Sequence, residues 1–340
     1  MASHRRRRAG AVLALALALG LTACGGGGGG GSSDPIVRVP EDSQDLNLGT
    51  SNYETAGRAS VANVFLPIGV GDVGLLDPIG AAPWLLSLSV DLTRRALRSP
   101  GTPLALLLGF GLRQTLPCSE GGSLVVSIGD TNNNGRFDDG DGLTLEAQSC
   151  KEDGTLLQGR ISFAVQSLSG FIDSSSYGAT LAVTLSGFSA TRGADTVKGD
   201  GTLNFTQTQT LTVSELKLST DFMTFSGRQD GQAFTTTLSG VKLTLRTETV
   251  NGVSRTTISY EGQISSSGLG GKRVIVTTPQ PLVISGSDRY PSSGQLLVKG
   301  NGSSAMRISS VNATQARLEV DAEGDGRYEA QTTKSWAELK

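Results

Sequence analysis

From about residue 122 to residue 335 apolar side chains return at every second position. Leu181, Val183 and Leu185 alternate with Ala182, Thr184 and Ser186, and Val241, Leu243 and Leu245 alternate with Lys242, Thr244 and Arg246. A period of two puts the apolar set on one face of a strand and the polar set on the other. Leu211 and Val213 hold this phase, which slips at Glu215 before Leu216 and Leu218 resume it, and such a slip predicts a β-bulge. Asp153-Gly154, Asp200-Gly201, Asp230-Gly231 and Asn251-Gly252 punctuate the run as turn signals, the last of them the strongest hairpin cue. The pattern predicts a mainly β chain, a curved antiparallel meander forming a half-barrel or sandwich-like sheet with one face wet.

The segment before the strands changes period. Ser51 and Glu54 have the spacing of a capping box, and the run from there to Phe65 reads as a helix. In a second helical stretch Pro83 sits in the first turn and Leu85, Leu88, Leu92 and Ala96 form a stripe. Asp91, Arg94, Arg95 and Arg98 face elsewhere, and Ser99-Pro100-Gly101 ends the stretch. This stripe suits a helix covering the apolar face of the sheet; a membrane-surface helix is the other reading. Residues 104–112 are apolar throughout, strand or buried helix alike. The expected organisation is a single domain over residues 51–340. One or two N-terminal helices lie within 51–115, and strands occupy 122–335.

The first residues carry a targeting pattern. His4 to Arg8 are basic, and Ala9 to Leu21 form an uncharged apolar run, shorter than the roughly 20 residues that span a bilayer. The run ends in Leu21-Thr22-Ala23-Cys24, which resembles the lipobox of bacterial lipoproteins. The resemblance implies that residues 1–23 are a signal peptide and that Cys24 is acylated and becomes the mature N-terminus, tying the chain to a membrane. In Gram-negative members of that family an Asp after the cysteine retains the protein in the inner membrane. Gly25 stands here instead, which implies an outer-membrane lipoprotein on the periplasmic or surface face. Gly25 to Gly31 and Ser32-Ser33 have no side chains to pack, so residues 24–50 read as a flexible tether.

Removing the signal segment alters the chemistry available. The chain has 29 Lys+Arg and 31 Asp+Glu; loss of Arg5 to Arg8 leaves 25 against 31, mildly acidic and with no basic patch. Nucleic acid is therefore not an expected partner. The one histidine, His4, leaves with the signal segment. A histidine-free chain excludes Ser-His-Asp and Cys-His catalysis and His-ligated zinc or iron. Of three cysteines, Cys24 is assigned to lipid. Cys118 and Cys150 remain, and in an exported protein they are expected to pair rather than stay as free thiols.

Within that bridge lies the sequence GDTNNNGRFDDGD. Counting Asp130 as position 1, Asn132 is 3, Asn134 is 5, Gly135 is 6, Asp138 is 9 and Asp141 is 12. This resembles the calcium loop of EF-hand and dockerin proteins, with Arg136 offering its carbonyl. The sequence departs from that family in having Asp at position 12 and strand-like flanks. Asn, Asp and Gly are also the preferred residues of tight turns, so a metal-free polar turn remains open. Asp321, Glu323 and Asp325 repeat the first three positions before Gly326-Arg327-Tyr328, with Thr332 at position 12. Gly268 to Gly271 before Lys272 only faintly suggest a phosphate loop and read better as a turn. Trp336 reads as a packing plug.

These features point to a non-enzymatic, lipid-anchored envelope protein serving as a binding or structural module. No cofactor is implied beyond Ca2+, and its partners would be the membrane, envelope components or a hydrophobic ligand. A half-barrel carrier of lipid or another hydrophobic ligand is the alternative. A carboxylate-dependent hydrolase is the lesser one.

Overall fold

The computed structural model describes residues 45–65, 113–135, 138–152, 154–170 and 175–339. Its centre is one sheet of fourteen strands, each hydrogen-bonded to the next in sequence and antiparallel to it. The strands are β1 (Arg113–Pro117), β2 (Ser123–Gly129), β3 (Gly142–Glu152), β4 (Thr155–Gly170), β5 (Tyr177–Arg192), β6 (Asp195–Gln209) and β7 (Val213–Gln229). They continue as β8 (Gln232–Val250), β9 (Val253–Ser266), β10 (Arg273–Ser285), β11 (Ser293–Lys299), β12 (Ala305–Asn312), β13 (Gln315–Asp321) and β14 (Ala330–Ser335). The expected antiparallel meander is thus present, and its two edge strands do not pair to close it.

In such a meander successive hairpins point to opposite ends. The turns β1–β2, β3–β4 and so on to β13–β14 share what we call the near end, and β2–β3, β4–β5 and so on to β12–β13 share the far end. The alternating apolar residues form one buried face: Leu181, Val183 and Leu185 of β5 line up with Leu203 and Phe205 of β6, Leu216 and Leu218 of β7, and Leu243 of β8.

The sheet bends along a band of irregular pairing. Register shifts occur at Gln158/Arg160, Leu185/Phe188, Gly201/Asn204 and Ser239/Lys242, which follow one another across β4 to β9. Bulges raise local twist and bend the bulged strand. At Gly159 the approach is so close that an added Cβ would sit 2.2 Å from the Gly187 carbonyl oxygen, with φ at +91°. The slip expected at Glu215 falls instead at residues 220–222, where β7 sets three residues against two of β6. Leu211 lies in the preceding turn, outside the strand. Asp200-Gly201 is likewise no turn but the middle of β6, whereas Asp230-Gly231 and Asn251-Gly252 close hairpins with positive φ at all four residues.

Helix α1 (Tyr53–Val64) lies on the apolar face over β9 and β11 to β13. It comes close because Gly57 has no side chain; a Cβ there would stand 2.7 Å from Leu318 Cδ2. The helix starts at Asn52, and its N-cap makes no side-chain capping bond, so the Ser51–Glu54 capping box does not form. Asn52 Oδ1 instead accepts from Gly49 N at 2.9 Å. Strands begin earlier than residue 122, because β1 pairs Leu116 with Leu124. The short helix α2 (Trp336–Leu339) carries the expected plug: the Trp336 ring is fully buried edge-on against Phe65, and its Nε1–H donates to the Pro291 carbonyl at 3.1 Å. The expected helix over residues 83–98 and the apolar run 104–112 lie outside the described residues, as do Cys24 and the glycine run. Among the described residues no helix is long and apolar enough to cross a membrane.

The N-terminal segment joins the near end earlier than the expected tether boundary at residue 50. Asp45 Oδ1 accepts from Arg273 Nε at 2.6 Å, Leu46 N donates to Arg273 O at 2.7 Å, and Leu48 N donates to Ser304 Oγ at 3.0 Å.

Candidate metal centre: two aspartate-centred loops

The β2–β3 connection closes on its own acids. Both oxygens of Asp130 are bonded to backbone near the middle of the turn: Oδ1 accepts from Asn134 N at 3.2 Å and Oδ2 from Gly135 N at 2.8 Å. Asp141 is fully buried, and its carboxylate accepts from Thr131 N and Asp138 N, both at 2.8 Å. Asp138 faces the two asparagines, whose amide groups donate to it at 2.8 Å from Asn132 and 2.5 Å from Asn134. Arg136 lies outside the described residues.

This loop also finishes the sheet. β4 runs past the end of β3, and its exposed edge would present unpaired backbone groups. Gly140 N donates to Val165 O at 2.9 Å, Val165 N donates to Asp141 O at 2.8 Å, and Leu168 N donates to Asp139 Oδ1 at 2.5 Å. A polar turn rich in short acids is what such an edge needs. The disulfide holds the other end of the same strands: Cys118 and Cys150 are bonded with Cα atoms 5.4 Å apart, as their count implied. Backbone bonds between Glu120 and Lys151 and between Lys151 and Gly121 flank the bridge.

The β13–β14 loop has the same internal build at the opposite, near end. Asp321 Oδ1 accepts from Gly324 N and Asp325 N at 2.7 and 3.1 Å, and Oδ2 from Gly326 N at 2.9 Å. Positive φ falls at positions 4 and 6 of both loops, Asn133 and Gly135 in the first and Gly324 and Gly326 in the second. The sequence echo is therefore a conformational one. Side-chain oxygens of Asp321, Asp325 and Glu329 lie within 4.8 Å of one another, Asp321 buried and the other two exposed. Among the described residues this triad is close enough to share one cation. Three carboxylates so placed repel one another by ~1 kcal/mol per pair in water and more near a protein surface, and a shared cation removes that repulsion.

The members differ in part from those expected. Asp321 and Asp325 belong to the triad; Glu323 is exposed and stays outside it. Glu329 takes its place, held by a 2.7 Å bond from Ala322 N. The signal was available, since Glu329 stands at position 9 where the first loop has Asp138. Beside the triad Arg307 pairs with Glu319 at 2.9 Å and lies 4.4 Å from the centre of the Tyr328 ring. No family model, no curated protein and no solved structure matches the chain.

Proposed function

We propose that the chain is a non-enzymatic, lipid-anchored protein of the cell envelope, a binding or structural module with a structural calcium ion in the 321–329 loop. The observation that carries this reading is the fixed attachment of residues 45–48 to the near end of the sheet, through Arg273 and Ser304. The glycine-rich stretch after Cys24 then separates an acylated cysteine from a defined docking point, so the sheet hangs from its near end. The acid triad lies at that same end, and calcium is the cation that all-oxygen ligands of this kind favour.

The calcium assignment is tested by melting the disulfide-intact protein with calcium and with EDTA. Calcium should raise the melting temperature, and Asp325→Asn with Glu329→Gln should remove the increment. Equal melting temperatures with and without calcium would refute it.

A second reading, a carrier of a hydrophobic ligand with a polar group, is favoured by the buried face itself. Tyr260 Oη, Thr220 Oγ1, Ser266 Oγ and the Gln229 amide are buried there, with no hydrogen-bond partner among the described residues. A buried polar atom left alone costs roughly 1–3 kcal/mol, and a ligand head group would relieve that. Mass spectrometry of an organic extract of the protein from its native envelope tests this, because a carrier yields a stoichiometric ligand.

A further inference from the structure

We propose that the β6–β7 and β8–β9 tips at the far end of the sheet are a contact surface for a lipid bilayer. Among the described residues five large apolar side chains are exposed, and four of them, Leu211, Val250, Val253 and Val311, are at the far end. The fifth, Tyr328, lies at the near end under the Arg307 guanidinium. Single exposed apolar residues are ordinary, but a set confined to one end is not.

Three of the four form a row. Val250 pairs directly with Val253 across the β8–β9 turn. Val213 pairs with Glu248, and Thr249 N donates to Thr212 O at 3.2 Å, so the next step outward sets Leu211 beside Val250. Their exposures are 86% for Leu211, 48% for Val250 and 52% for Val253. Residues 207–214 and 249–254, which build both tips, contain no charged side chain.

The charges begin just behind. Arg255 is two positions from Val253, about 7 Å down the strand, and has no ion pair among the described residues. Glu248 stands directly across from Arg255 on β8, and it pairs with Arg246, which joins Glu215 and Lys217 in an ion-pair group further in. Uncharged aliphatic tips with a free guanidinium behind them match the acyl boundary and phosphate layer of a bilayer containing anionic lipid. A protein-binding patch is instead typically flat and enriched in aromatic residues and arginine. The contact is separate from the lipid anchor, whose segment joins the opposite end, and it stands or falls independently of the anchoring proposal.

The test uses the whole mature chain with Cys24→Ser, exported behind a signal peptide that is not acylated, so that no lipid is attached. It is sedimented with vesicles of phosphatidylcholine with or without phosphatidylglycerol. The expected result is binding to anionic vesicles that falls about tenfold or more in the Leu211→Asp, Val250→Asp, Val253→Asp triple variant, as loss of three buried aliphatics requires. Arg255→Gln should weaken binding on anionic vesicles only. The three positions are exposed, so the triple variant should melt like the parent, and circular dichroism checks this. No binding by the parent chain overturns the proposal, as does equal binding by a folded triple variant; capture of a protein at these tips without vesicle binding overturns it too.

Discussion

Replacing Tyr260 by phenylalanine should stabilise this protein, which is the reverse of the usual effect of a core substitution. The Tyr260 ring lies on the buried face of β9, where Gly262 leaves room for it: its hydroxyl stands 3.2 Å from the place a Gly262 Cβ would occupy, beside Val241. Among the described residues that hydroxyl has no hydrogen-bond partner. Folding strips it of water and returns nothing, at a cost of about 1–3 kcal/mol. Phenylalanine keeps the ring and removes the hydroxyl, losing only one atom's packing, so the net gain should be ~1–2 kcal/mol. For a domain of this size that is about 2–3 °C in melting temperature. The same burial holds the phenol well above its ordinary titration range. A raised folded-state value gives stability that is complete below the unfolded value of about 10 and is lost as pH rises beyond it. Wild type should therefore weaken above pH ~10 more steeply than Tyr260→Phe. Urea titration of both proteins at neutral and alkaline pH measures each difference. A Tyr260→Phe protein less stable than wild type at neutral pH would refute the reasoning, because the hydroxyl would then be bonded.

Two other perturbations bear on the fold. Gly159→Ala places a methyl group 2.2 Å from the Gly187 oxygen at a φ of +91°, and should cost at least ~2 kcal/mol by denaturant titration; a cost below half of that would show that the bulge band gives way easily. Reducing the Cys118–Cys150 bridge, which spans a sequence separation of 32, should lower stability by about 3–4 kcal/mol. An unchanged urea midpoint for the Cys118→Ser, Cys150→Ser protein would mean that the hydrogen bonds around Lys151 already close the loop.

Much of the sheet was legible because period two is a direct image of a half-buried strand. Leu181, Val183 and Leu185 point inward where the alternation put them, and Asn251-Gly252 reverses the chain as its chemistry suggests. Asp200-Gly201 shows the limit of that cue. The dipeptide marks a glycine with positive φ, but here that backbone lies in β6 opposite the bulges of β5 and β7 and makes no reversal. Strand β1 is not legible in the sequence because it is an edge of five residues with one inward apolar position, Leu116, and its pairing is made by backbone groups that any sequence supplies. The acidic loops are legible in their spacing, and Glu329 is legible only when position 9 of the second loop is counted with positions 1, 3 and 5. The β4 edge that Asp139 and Asp141 cover could not be read in advance, because it depends on β4 outrunning β3.

The proposed anchoring makes Cys24 the mature N-terminus and the point by which this sheet is held to a membrane. Intact-mass and peptide mass spectrometry of the protein extracted from its native membrane test it most directly. The expected result is a mature N-terminus at Cys24 with the mass of attached acyl chains, and the protein in the membrane fraction. An N-terminus at any other residue, or a Cys24 without lipid, would contradict it.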